Sequence, residues 1–163
     1  MKDKRRILYA TSGTVPGWRR EAMHADQVAR ALSRWYDLDI LCPMIDRMGQ
    51  VAYFHGARLL RVPLPTDGVE GMLAFARAVQ RQLLDGSYEV VHVRSPVEGE
   101  AALEARRRDE FVLVYEPSHP SEMLGFLSEK GTGTTLDRLI EIEADLVESC
   151  DVEEYALGSP TLE

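Results

Sequence analysis

Arg6-Ile7-Leu8-Tyr9-Ala10-Thr11-Ser12-Gly13 is the stretch that decides the fold. Ile7 to Ala10 is a continuous apolar run, the pattern of a strand buried on both faces. A loop rich in Gly, Ser and Thr follows, from Thr11 to Arg20. Then Ala25, Val28, Ala29, Leu32 and Trp35 recur on one helical stripe.

Further along, strands and helices keep alternating. Leu38 to Cys42 reads as a second strand, stopped by Pro43. Met44 to Gly56 is irregular and reads as a loop or a short turn of helix. Leu59 to Val62 is a third strand, closed by Pro63 and Pro65. Met72, Phe75, Ala76, Val79 and Leu83 have helical spacing, and Asp85-Gly86 ends that helix. Val90 to Val93 is a fourth strand, followed by a helix from about Glu98 to Arg108. Phe111 to Tyr115 is a fifth strand and the most apolar. Gly125 to Thr135 is rich in Gly and Thr and is expected to be mobile. Leu136, Leu139, Ile140, Leu146 and Val147 mark a last helix. Asp151 to Leu157 reads as a sixth strand, with Glu153 and Glu154 suiting a sheet edge.

This order predicts an α/β fold: a Rossmann-like, doubly wound, mainly parallel sheet in a single domain with helices on both faces. The length of 163 residues fits one domain. Hydrophobic residues are 45% and charged residues 28%, as in an ordinary globular protein. A net charge of −8 argues against nucleic acid as a partner, because phosphates call for a surplus of Lys and Arg. Cys42 and Cys150 end apolar segments and read as reduced thiols, and no Cys/His pattern has zinc-ligand spacing. No metal and no cofactor is expected. The basic start, Lys2 to Arg6, precedes an apolar run too short for a signal peptide, so a cytoplasmic protein is expected.

In a doubly wound sheet the ligand sits beyond the carboxyl ends of the strands. Three loops lie there: Thr11–Arg20, Arg94–Gly99 and Glu116–Met123. The first carries Gly13, Gly17, Arg19 and Arg20 ahead of a helix start, where backbone N–H groups favour an anion. The same loop also reads as a flexible turn with solvated arginines. A nicotinamide site would want an acidic residue ending the second strand, but that strand ends Leu41-Cys42-Pro43. With no G-x-G-x-x-G either, an NAD dehydrogenase is disfavoured.

The fourth strand ends His92-Val93-Arg94-Ser95, so His92 and Arg94 share a face and Arg94 requires a partner. The fifth runs into Glu116-Pro117-Ser118-His119-Pro120-Ser121-Glu122. His119 has the chemistry of a base and Glu116 that of its orienter. Equally, Ser118, Ser121 and Glu122 suit a capped turn. Glu143 is expected to pair with a cation or to reach solvent, and Arg106-Arg107-Arg108 to cover a solvated helix end. Ser12 and Ser95 have no base adjacent in sequence, so a serine hydrolase has no support.

Several segments resemble, in order and spacing, the N-terminal domain of glycosyltransferase family 4, which has the GT-B fold. They are Arg6 to Gly13, His24-Ala25-Asp26-Gln27-Val28-Ala29-Arg30-Ala31-Leu32, Tyr88 to Pro96, Val114-Tyr115-Glu116 with Pro120-Ser121-Glu122, and Glu143 to Val152. The resemblance implies that residues 1–163 are the acceptor-side half of a two-domain enzyme, with the donor-binding half outside this chain. The parent would transfer a sugar from a nucleotide-sugar donor to a hydroxyl acceptor without a metal, and the fragment alone would be inactive. Peripheral membrane contact of the parent is a further expectation. By the same analogy Gly13 and Gly17 form the cleft loop, with Arg19 and Ser95 as further substrate-binding candidates. His92, Arg94 and His119 would line the acceptor side. The chain departs from the family pattern where Arg94 replaces a histidine, in Pro16-Gly17-Trp18, and at Glu21, one position early. Two rivals stand beside this reading: a GT-B sugar-nucleotide epimerase using Glu116 and Glu122, and a flavodoxin-like binding module without catalysis.

Overall fold

The computed structural model describes residues 4–44, 47–65, 68–117 and 133–153, with 133–136 and 152–153 described by their backbone. The elements in chain order are β1 (Arg6–Ala10), α1 (Arg20–Leu32), β2 (Asp37–Pro43), β3 (Val51–Phe54), β4 (Ala57–Val62), α2 (Val69–Asp85), β5 (Val90–Val93), α3 (Pro96–Arg106), β6 (Val112–Tyr115), α4 (Gly133–Ser149) and β7 (Val152–Glu153). They build one sheet in the order β3-β4-β2-β1-β5-β6-β7. Every described pairing is parallel except β3 with β4. The Rossmann-like α/β sheet expected from the alternation is the sheet observed.

The continuous apolar runs are explained by what covers them. One face packs Leu8, Ala10, Val91, Val93, Leu113 and Tyr115 against Phe75 and Val79 of α2, Ala101 and Ala102 of α3, and Leu146 of α4. The other packs Ile7, Tyr9, Ile40, Cys42 and Leu59 against Ala25 and Ala29 of α1. A central strand such as β1 therefore has no polar face to show.

Four expectations are corrected. Within the stretch read as loop or helical turn, Val51–Phe54 is an antiparallel strand, closing a hairpin with Phe54 opposite Ala57. Its two turn residues, His55 and Gly56, have φ of 51° and 88°, the backbone of a type I′ turn. Ser33 Oγ donates to the His55 carbonyl at 2.6 Å, pinning the turn to the end of α1. Second, α1 stops at Leu32, so Trp35 leaves the buried stripe and is 73% exposed. Third, α4 turns Leu139, Ile142 and Leu146 inward, while Ile140 and Val147 face solvent. Fourth, of the arginine run only Arg107 and Arg108 are exposed as expected, whereas half-buried Arg106 donates to the Ser149 carbonyl at 2.8 Å and to Asp151 at 2.7 Å. Asp151 also accepts the Leu113 N–H at 2.8 Å, which fixes where β7 joins β6. Residues 118–132 and 154–157, named above for a loop, a mobile segment and a longer last strand, lie outside the described residues.

At the amino-terminal edge of the sheet sits a polar hub absent from the sequence reading. Buried Asp39 of β2 accepts Arg58 Nε at 2.8 Å, the Tyr88 hydroxyl at 2.6 Å and Arg6 at 3.3 Å. These partners come from β4, from just before β5 and from β1, so one carboxylate aligns strands across the centre of the sheet.

Candidate functional site

The strand order places the site. From β1 the sheet grows one way through β2 and the other way through β5, so the switch point lies between β1 and β5. Ala10 is opposite Val93 at the carboxyl end of this pair. The continuing chains, Thr11-Ser12 and Arg94-Ser95, therefore leave the sheet side by side. Glu116 leaves β6 next to them, its N–H donating to the Val93 carbonyl at 3.0 Å.

Glu116 is the centre of the polar cluster at this edge. Its Oε1 lies 2.8 Å from His24 Nε2, and its Oε2 lies 3.0 Å from His92 Nε2. Arg94 Nε approaches Oε2 at 3.8 Å. His24 comes from α1 and His92 from β5, so three elements converge on one buried carboxylate. Burial pushes the Glu116 carboxyl up, but the His24 and His92 hydrogen bonds and the charge of Arg94 outweigh it and hold the carboxyl well below its ordinary range.

The carboxylate can only accept, so both Nε2 atoms carry hydrogen. In a neutral His24 the other ring nitrogen, Nδ1, is then an acceptor, and Tyr9 Oη stands 2.8 Å from it. Burial keeps the Tyr9 phenol protonated and thus able to donate. Tyr9 stacks on His24, with ring centroids 5.9 Å apart, and meets His92 edge-on at 5.1 Å. The chain Tyr9–His24–Glu116–His92 fixes both rings in tautomer and orientation. With both His24 nitrogens engaged, the site offers the oriented His92 imidazole and the Arg94 cation to a hydroxyl-rich or anionic ligand.

The glycine loop borders this cluster. Gly13 donates its N–H to Thr11 Oγ1 at 3.2 Å. A side chain at Gly13 would put its Cβ 2.4 Å from Glu21 Cβ, so only glycine lets the loop lie against the first turn of α1. Buried Val15 anchors the loop, and its carbonyl accepts Arg61 Nε at 3.2 Å. Gly17 and Arg19 are exposed at its outer end, Arg19 over the Trp18 ring at 5.9 Å.

The structure thus gathers His92, Arg94 and Glu116 of the sequence candidates. Ser95 stands at the N-cap position of α3 beside them, its side chain making no capping hydrogen bond, and Gly13 lies on the adjoining loop. Gly17 and Arg19 are not part of the cluster. His119 lies outside the described residues, and the histidines that Glu116 is seen to orient are His24 and His92. Glu143 binds neither a cation nor bulk water alone: its Oε1 accepts the Tyr115 hydroxyl at 2.6 Å. Three participants were not among the sequence candidates. Tyr9 looked like part of an apolar run, and His24 like one polar position on a helix. Glu98, on the first turn of α3, is completely buried. Its signal was present: Ser95-Pro96-Val97-Glu98 has the Ser-x-x-Glu spacing of a capping box.

The glycosyl transferase 4-like domain model matches residues 22–149. The chain belongs to the glycosyl transferase 4-like family. No curated protein matches it significantly in sequence. Among solved structures it is similar to sucrose-phosphate synthase from Thermosynechococcus elongatus, with a TM-score of 0.68 at 12% identity over 92% of this chain. The match spans 42% of that enzyme's chain. A second structure of part of the same synthase gives a TM-score of 0.56 at 12% identity, covering 96% of this chain and 91% of that one. This glycosyl transferase 4-like domain therefore shares its fold with less than half of a whole synthase. Among its described residues no helix is long and apolar enough to cross a membrane, and no group of three or more His, Cys, Asp or Glu is placed to hold a metal ion.

Proposed function

We propose that this domain is the acceptor-side half of a glycosyltransferase that moves a sugar from a nucleotide-sugar donor to a hydroxyl acceptor. The observation that carries the reading is the Glu116 carboxylate with His24 and His92 on its two oxygens, at the switch point of a sheet in this family. The His92 imidazole, oriented by Glu116, suits hydrogen bonding to a sugar hydroxyl. Glu116 acts by positioning rather than as a nucleophile, since both of its oxygens are engaged. Arg94 and the loop around Gly13 and Gly17 supply positive potential for the donor's phosphates, which favours departure of the diphosphate without a metal. His119, three residues beyond Glu116, is proposed as the base that takes the acceptor proton.

A facing domain would complete the cleft and hold most of the donor, as the 42% coverage of the synthase supports. The 163 residues alone are then expected to show no sustained turnover. A cytoplasmic setting, with peripheral contact to a membrane when the acceptor is lipid-borne, belongs to the same proposal. The test is release of nucleoside diphosphate from a panel of UDP-, GDP- and ADP-sugars by the protein of the complete reading frame, with cell-extract glycans and lipids as acceptors. One donor should be consumed, and His92→Ala should slow it at least about tenfold, the loss of one or two transition-state hydrogen bonds. No consumption of any donor, or an unaffected His92→Ala, would overturn the reading.

A further inference from the structure

Glu98 is the third residue of α3, and its side chain is completely buried. Neither carboxyl oxygen has a hydrogen-bond partner of good geometry among the described residues. A carboxyl placed this way is costly unless its surroundings use it. Its surroundings are the point where two chains leave the sheet. The β1–β5 register ends at Ala10 opposite Val93, which brings Ser12 of the glycine loop beside Ser95 at the cap of α3. Glu98 lies under that junction, one turn into the helix.

We propose that Glu98 is a positioning residue that latches the glycine loop to the start of α3. The ionised carboxylate draws the N–H groups of Ser12, Ser95 and Glu98 itself toward it, and the neutral carboxyl lets the Ser12 N–H go. The loop's free N–H groups, and with them its capacity for an anion, follow the charge on Glu98. Burial pushes this carboxyl up to about 8, opposed by those N–H groups and by Arg94. The switch therefore falls near neutral pH. Among the described residues the other titratable or charged groups at this junction are Tyr9 of β1, Glu21 of α1 against Gly13, Arg94 after β5, and Glu116 after β6 with His24 and His92 on its oxygens. From α4 the packing neighbour is Leu146, against Gly99, and the Arg138–Glu100 pair between α3 and α4 is solvent-exposed. The latch is a property of this chain. Only its consequence for a donor diphosphate rests on the glycosyltransferase reading.

The test is an amide NMR titration of the 163-residue chain from pH 6 to 10, alongside Glu98→Gln and Glu98→Leu. In the native chain the Ser12, Gly13, Ser95 and Glu98 amides should share one midpoint near 8. In Glu98→Gln that transition should vanish. Neither variant carries the charge, so at every pH Ser12 and Gly13 should keep at least the fast motion that the native chain shows below its midpoint. If Glu98→Leu does not fold, Glu98→Gln still decides. Ser12 and Gly13 amides that stay flat in the native chain, or that titrate alike in Glu98→Gln, overturn the latch. Absence of transfer activity in the protein of the complete reading frame, with this titration intact, would sink the glycosyltransferase reading and leave the latch standing.

Discussion

His24 and His92, one from α1 and the other from β5, meet on the two oxygens of a single carboxylate, at 2.8 and 3.0 Å. The relationship joins a helix to a strand through Glu116 and makes a testable demand on stability. A carboxyl held below its ordinary value of 4.5 stabilises the fold above that pH, and the contribution fades as pH falls toward the folded value. Glu116→Gln should cost roughly 1–3 kcal/mol at pH 7, the range for hydrogen bonds to a charged group. The gap should narrow below pH 4.5. Urea denaturation at pH 7 and at lower pH measures both; a gap independent of pH would contradict the assignment.

Glu98 makes the opposite demand. Its carboxyl is raised from 4.5 to about 8, so the native state holds a proton that the unfolded chain has lost. Between those values stability should fall as pH rises, by at most about 1.4 kcal/mol per unit. Glu98→Gln should remove this slope and gain on the native chain up to about pH 8. Thermal unfolding from pH 5 to 9 would show the two curves diverging; parallel curves would mean that Glu98 titrates normally.

The parallel sheet was legible because a strand buried on both faces needs a continuous apolar run, and β1, β2, β5 and β6 each have one. The strand Val51–Phe54 was not, because an edge strand of a hairpin is half exposed and its four residues hardly outlast their turn. Trp35 and Ile140 were misplaced because apolar spacing marks a stripe without saying where a helix stops or which edge of the stripe meets the sheet. The loops holding the site were legible from strand order. Its wiring was not: Tyr9, His24, His92 and Glu116 span more than a hundred residues and meet only once the switch point forms. The Asp39 hub was hidden for the same reason, a single polar residue inside an apolar strand.

That hub should govern stability and leave the site alone. Asp39→Ala strips the Tyr88 hydroxyl and two arginines of their acceptor and should cost roughly 3 kcal/mol, as for other broken buried pairs. Arg58→Ala should cost less, since that side chain is 41% exposed and water takes over its role. Because the hub lies at the opposite edge, the amide shifts of Ser12 and Glu116 should not move in Arg58→Ala. Movement there would show that the two edges are coupled.

The α3–α4 contact can be tested by adding one carbon. A Cβ at Gly99 would lie 2.2 Å from Leu146 Cδ2, and Leu146 is fully buried. Gly99→Ala should cost about 1–3 kcal/mol through overpacking. Leu146→Ala opens that space, so the double variant should be more stable than the sum of the single losses predicts. Additive losses would mean that α3 and α4 are not packed through this pair.

The central claim is that the β1–β5 edge, with its Glu116-bridged histidines, is where a nucleotide sugar meets this domain. It is tested most directly by titrating the isotopically labelled chain with UDP-glucose and with GDP-mannose and mapping the amides that move. The account predicts shifts at Ser12, Gly13, Ser95, Gly99 and Glu116 for at least one of the two donors, and none at Asp39 or Tyr88 on the far edge. Shifts gathered on another face, or no response of the β1–β5 edge to either donor at millimolar concentration, would contradict it.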